Sequence, residues 1–186
     1  MTIGIGGSYL GVDFVYEALK SHPKCKGDRV LKLIANVDPL DAAQKFASLD
    51  HEQVLFIVLS KTFTTAETML NARTAKNWLL EKYAATSPAL DAKAIVAAQI
   101  CAVSTALDKT AAFGIESQNV FGFWNWVGGR FSVCSAIGAL PLSLVFGFEI
   151  FQQFLDGARA MDRHFASAPL AHNFPVLMGL LAVYNA

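Results

Sequence analysis

The segment Ser60-Lys61-Thr62-Phe63-Thr64-Thr65 carries four hydroxyls and one ammonium in six residues, directly after the apolar run from Val54 to Leu59. That order reads as a strand that ends in an anion-binding turn and opens a helix. Backbone N–H groups at a helix N-terminus lack intrahelical partners, and the helix dipole adds partial positive charge there. Hydroxyl donors beside such an end suit a phosphate. Thr64-Thr65-Ala66-Glu67 also fits a capping box, in which Thr64 caps the helix and Glu67 returns to the Thr64 backbone N–H. Capping uses one hydroxyl and leaves Ser60, Thr62 and Thr65 as surplus donors. The Gly-x4-Gly-Lys-Ser/Thr spacing of a P-loop is absent, which disfavours nucleoside triphosphate chemistry.

A second such turn, Gly4-x-Gly6-Gly7-Ser8-x-x-Gly11, follows the first apolar run. Counted from Gly4 and Gly6, the sixth position of a dinucleotide fingerprint is Tyr9, so that fingerprint fails. The glycines still let backbone approach a ligand closely, and Ser8 either caps the next helix or donates to that ligand. A third candidate is Gly128-Gly129-Arg130-Phe131-Ser132. An arginine behind two glycines can project a planar, permanently charged fork toward an oxyanion, or form a structural ion pair with a carboxylate.

Other chemistry-bearing residues are less organised. His22, His51, His164 and His172 are scattered without metal-ligand spacing and read as solvated or capping. Cys25, Cys101 and Cys134 form no C-x-x-C, so neither a zinc site nor a disulfide framework is expected, and the setting reads as reducing and cytoplasmic. No metal or cofactor is expected. Trp124 and Trp126, with Phe121, Phe123 and Phe131, read as a core aromatic cluster.

The elements that must position these turns alternate. Strands are expected over 2–5, 30–37, 54–59 and 99–103, with helices over 10–20, 40–48, 65–83 and 107–113 between and after them. This is the pattern of βαβ units and a parallel sheet, an α/β fold. Its strand ends, Gly6-Gly7-Ser8, Asn36-Val37-Asp38, Ser60-Lys61-Thr62 and Ser104-Thr105, are expected along one edge, where such sheets bind ligands. From about Phe121 the pattern becomes helical, over 121–127, 132–140, 142–146, 149–165 and 174–184, with no further strand expected. The 149–165 helix shows an apolar stripe of Phe151, Phe154, Leu155, Ala158 and Met161. The 174–184 helix is apolar nearly all round and needs burial by something else. The stretch from Ala84 to Ala94 reads as a short linker.

Fifteen basic and fifteen acidic residues balance to zero net charge, which leaves no footprint for nucleic acid or an acidic membrane surface. The chain is 54% hydrophobic and 16% charged, with the apolar excess in its C-terminal third. Phe131 to Phe148 is eighteen residues without charge, the length of a short membrane span. Pro141 near its centre reads instead as the divider of two buried helices. No secretory leader is visible, and both ends fall inside apolar elements, so the 186 residues read as a piece of a longer chain.

Together, 3–11, 60–68 and 123–132 strongly resemble the glucose-6-phosphate isomerase family, in this order and at suitable spacing. Phe113-Gly114-Ile115, 161–165 and 173–177 fit as well. The resemblance implies an aldose–ketose isomerase that interconverts glucose 6-phosphate and fructose 6-phosphate through a cis-enediol. It implies two sugar-isomerase (SIS) domains of three-layer αβα build and a cytoplasmic homodimer without nucleic-acid or membrane partners. Residues 1–120 would hold the first domain, and 121–186 a helical segment that leads into a second domain absent from this chain. The phosphate binders implied are Gly7, Ser8, Ser60, Lys61, Thr62, Thr64 and Thr65, with Gly7 and Lys61 acting through backbone. Arg130 is the implied catalytic, enediolate-stabilising arginine. The family's glutamate base would follow Ala186, and its ring-opening histidine and a further lysine would come later still, so the isolated chain is expected to bind at most. A non-catalytic SIS-type module that binds a sugar phosphate remains the alternative.

Overall fold

The computed structural model of the chain describes residues 1–25 and 27–186. Five parallel strands form one sheet: β1 (Thr2–Ile3), β2 (Leu33–Ile34), β3 (Phe56–Leu59), β4 (Ile100–Val103) and β5 (Val120–Phe121), in the order β2-β1-β3-β4-β5. All four pairings are parallel, with Ile3 opposite Ile34 and Val58, and Val58 opposite Ala102. The helices are α1 (Leu10–Leu19), α2 (Pro39–Ala47), α3 (Ala66–Thr86), α4 (Ala92–Gln99), α5 (Leu107–Phe113), α6 (Ala136–Phe146), α7 (Phe148–Ser167) and α8 (Phe174–Tyr184).

Every residue of β3 and β4 is buried, and side-chain alternation sorts them onto two helical layers. Phe56, Val58, Ile100 and Ala102 pack with Phe46 of α2, Met69, Ala72 and Leu79 of α3, and Ile95 of α4. Ile57, Leu59, Cys101 and Val103 pack with Val12 and Val15 of α1, Ile137 and Leu142 of α6, and Phe151 of α7. A three-layer αβα core results, as the sequence predicts. Parallel pairing brings all strand C-termini to one edge, and the chain direction switches between β1 and β3, where open α/β sheets form a ligand crevice.

Several expectations fail locally. β5 lies where no strand is expected, but it is only two residues long. The supposed linker after α3 gives way to α4 at Ala92. Residues 122–128 form no helix, and a 3-10 helix, Gly129–Cys134, follows instead. Pro141 sits inside a single helix, α6, rather than between two. The stripe of α7 is buried only at its start: Phe151 is in the core, whereas Met161 is 47% exposed. Helix α8 has no buried residue, and Phe174, Met178, Leu180 and Leu181 all stand open. Among the described residues no helix is long and apolar enough to cross a membrane.

Candidate functional site

The hydroxyl-rich turn leaves β3 through Ser60, which is buried and whose Oγ accepts from the Phe63 backbone N–H at 3.1 Å. Phe63 lies at φ +52°, a left-handed conformation that a non-glycine residue adopts only under constraint. The constraint is visible: the Phe63 ring is buried and meets Phe113 edge-on at 5.7 Å. A locked Phe63 throws Thr62 and Thr64 outward, where Thr64 Oγ1 donates to Thr62 Oγ1 at 2.8 Å.

The expected capping box does not form. Thr65, not Thr64, is the N-cap of α3, and neither its side chain nor Glu67 makes a cap hydrogen bond. The left-handed step at Phe63 shifts the helix start by one residue. Helix α3 therefore begins with unpartnered backbone N–H groups, the Thr65 hydroxyl beside them, and a 21-residue dipole behind.

Across the switch point, β1 runs into the 3-10 turn Gly6–Ser8, with Gly6 at φ +57°. Ser8 makes no side-chain hydrogen bond to the described residues and does not cap α1, whose N-cap is Tyr9. Tyr9 turns aside to Asp13 Oδ2 at 3.2 Å, and desolvation together with the Asp13 carboxylate raises its phenol above the ordinary range.

The third motif packs directly on the second. A Cβ at Gly7 would overlap the Gly129 carbonyl oxygen and come within 2.7 Å of its carbon, so the two backbones touch. Gly129 itself lies at φ +56°. The Arg130 side chain is exposed and has no ion pair or hydrogen bond with the described residues, so the alternative of a structural ion pair is not realised. The ammonium of Lys61 donates to the carbonyls of Asn125 and, at 2.9 Å, Val127, tying the hydroxyl turn to this loop.

The aromatic cluster is not core. Trp124 and Trp126 are 67% and 78% exposed, stacked on each other at 5.5 Å. They line a groove of about 350 Å³ with Phe131 and Cys134. Burial and then the Asp162 carboxylate push the Cys134 thiol up, which keeps it protonated at neutral pH. A larger cavity, about 780 Å³, lies at the opposite, amino edge of the sheet beside Met1, Leu31 and Leu55, away from all three motifs.

Sequence reasoning missed Lys109 and the specific part played by Ser104 and Thr105. Lys109, one turn into α5, reaches the Thr62 carbonyl at 3.3 Å and puts a second ammonium beside the turn. Ser104 and Thr105, read only as a polar strand end, both donate through their hydroxyls to the Lys61 carbonyl, at 3.1 and 2.9 Å, and hold the turn from below. Spacing after a strand end is the one sequence signal that points to Lys109. Of the histidines, His164 accepts from the Phe174 N–H at 3.0 Å, the capping role expected near helix ends. No group of three or more potential metal-ligating side chains occurs among the described residues.

Comparison with known proteins adds the lineage. The chain is 52% identical to the cytosolic glucose-6-phosphate isomerase 2 of Clarkia concinna, over 188 aligned residues that cover 100% of this chain and 32% of that protein. Its identity to the cytosolic isomerase A of rice is also 52%, again covering 32% of the relative. The crystal structure of a glucose-6-phosphate isomerase from Chlamydia trachomatis superposes with a TM-score of 0.81 at 32% identity, over 99% of this chain and 33% of that one. A hypothetical protein from Thermus thermophilus follows at 0.70 and 26% identity, over 97% of this chain and 40% of that one. This chain thus spans about a third of the length of the curated relatives it matches. The family profile described as Phosphoglucose isomerase matches residues 1–186, and the chain belongs to that family.

Proposed function

We propose that this chain is the phosphate-binding part of a glucose-6-phosphate isomerase, with residues 1–120 as its first SIS domain and 121–186 as the bridge toward a second. The observation that carries the reading is the meeting of three motifs at one sheet edge: Gly7 against Gly129, and Lys61 against the loop before Arg130. The Ser8, Ser60, Thr62, Thr64 and Thr65 hydroxyls and the backbone N–H groups of Gly7 and Lys61 take the phosphate of the hexose. Ser60 accepts from Phe63 and keeps its own proton free to donate. Arg130 faces the sugar's carbonyl end, where proton abstraction places negative charge on oxygen and a fixed cation stabilises it. The base that moves the proton between C1 and C2 belongs to the part of the relatives' length that this chain does not span. The whole enzyme works as a homodimer, and in the cytosol, as the names of its plant relatives state for them.

Isomerase and melting assays of the purified 186-residue chain test the reading. Saturable glucose 6-phosphate binding should raise the melting temperature, since ligand at 100 times its Kd adds about 2.7 kcal/mol. Turnover should lie orders of magnitude below that of an intact isomerase, because each absent proton-transfer group costs roughly 100-fold or more. Turnover near the intact level would place the base within this chain. An unchanged melting point in millimolar sugar phosphate would leave the hydroxyls with structural roles alone.

A further inference from the structure

We propose that the Lys61 ammonium is a positioning residue that sets Arg130, a role separate from the phosphate contact of its own backbone. The proposal rests on the site reading above. The segment from Gly122 to Val127 has no regular secondary structure, and both of its tryptophans are exposed, yet it fixes the path of the chain into Gly128-Gly129-Arg130. Within it Val127 N–H donates to the Trp124 carbonyl at 3.0 Å, and it is seated by the buried Val127 side chain and by Phe123, half-buried against the core. Among the described residues, the long-range hydrogen bonds that reach this segment come from one atom, Lys61 Nζ, to the carbonyls of Asn125 and Val127.

An ammonium offers three donors and forms short bonds to carbonyl oxygens when it has no competing carboxylate, and Lys61 has no ion pair among the described residues. Lys61 is also anchored from behind, since its own carbonyl accepts from the Thr105 N–H at 3.1 Å and from the Ser104 and Thr105 hydroxyls. Beside the Gly7–Gly129 backbone contact, which seats the loop on the β1 turn, this side chain ties the loop that carries the arginine to the β3 and β4 ends. Arg130, without a partner among the described residues, depends on that loop for its placement relative to the hydroxyl turn. The distance between the phosphate cradle and the cation is then fixed before substrate arrives, and it selects the length of molecule that spans the two.

Two probes separate the ends of the site: inorganic phosphate, and 6-phosphogluconate, whose C1 carboxylate puts negative charge where the enediolate oxygens form. The quantity read is the ratio of their dissociation constants, by calorimetry, on the 186-residue chain and its variants. Arg130→Gln should cut the preference for 6-phosphogluconate by roughly 10- to 100-fold. Lys61→Met should cut it as far, and the double variant no further, because both remove one function. Lys61→Arg, which keeps a cationic donor to the two carbonyls, should restore part of the ratio, and it carries the test if Lys61→Met does not fold. An unchanged ratio in Lys61→Met beside a lost one in Arg130→Gln overturns the positioning role, as does a folded Lys61→Arg with no recovery. Additive losses in the double variant overturn it too. An unchanged ratio in Arg130→Gln instead defeats the site reading itself.

Discussion

Gly7→Ala tests how tightly the glycine turn and the arginine loop are joined. The new methyl would stand 2.7 Å from the Gly129 carbonyl carbon and 2.9 Å from its Cα, in addition to overlapping the oxygen. Carbon atoms prefer about 3.5–4.0 Å, so the two backbones must separate by roughly 1 Å. All the opposing atoms are main chain, so no rotamer change relieves the clash. Overpacking of this kind costs about 1–3 kcal/mol. For a chain of this length each kcal/mol lowers the melting temperature by about 2–4 °C, which gives an expected drop of roughly 2–12 °C. A shift of about 1 Å between the cradle and Arg130 should also weaken 6-phosphogluconate far more than inorganic phosphate, by up to about 100-fold. Gly128→Ala is the control, since a Cβ there meets nothing within 4 Å and the backbone is extended at φ −172°. Thermal melts of the two variants with both ligands decide the matter. If Gly7→Ala melts with the parent, or Gly128→Ala falls equally, the two turns do not touch as described.

Gln99 donates through Nε2 to the His51 and Val54 carbonyls at 2.6 and 2.9 Å in a buried setting, so Gln99→Leu should cost about 1–3 kcal/mol in a melt and leave ligand binding intact. In the purified 186-residue chain, where Met1 carries a free α-amine, burial lowers that amine from 8.0 to about 6. The unfolded chain therefore binds more protons between those values, and stability should rise from pH 6 to pH 8 by about 2–3 kcal/mol, flattening outside that window. N-terminal acetylation should abolish that rise in denaturant titrations. Paired substitutions Leu180→Glu and Leu181→Lys on the open face of α8 should reduce light scattering from self-association without lowering the melting temperature, because neither side chain is buried.

The core strands were legible because full burial leaves an unambiguous apolar run: Val54 to Leu59 and Gln99 to Val103 contain the whole of β3 and β4. The order of the sheet was not, since no periodicity states that β1 lies between β2 and β3. β5 has two residues, too few to carry a pattern, and is defined only by its pairing with Ala102 and Val103. The aromatic run from Phe121 to Val127 imitates a buried helix in composition, yet long-range bonds from Lys61 take its carbonyls. Likewise Pro141 marks a boundary by local rules, whereas packing of Ile137 and Leu142 on the sheet holds α6 together across it. At the site, the expected turns do meet at one sheet edge, but β1 and β2 end at Ile3 and Ile34, short of the expected residues 5 and 37, and the helix cap lies at Thr65 rather than Thr64. The displacement comes from Phe63, whose left-handed step is imposed by its pocket against Phe113 and is invisible in the local sequence.

The stacked pair of Trp124 and Trp126 gives the arginine loop an intrinsic optical label. Of the three tryptophans in the chain, only Trp78 lies elsewhere, half-buried against Phe46 and Phe56. Emission at long wavelength therefore originates from the two exposed indoles within six residues of Arg130. Their coupled transitions make near-ultraviolet dichroism sensitive to the 17° angle between the rings. Any ligand that settles between this loop and the hydroxyl turn changes the surroundings of these indoles and so reports its own arrival, with no dye attached and no change to the sequence.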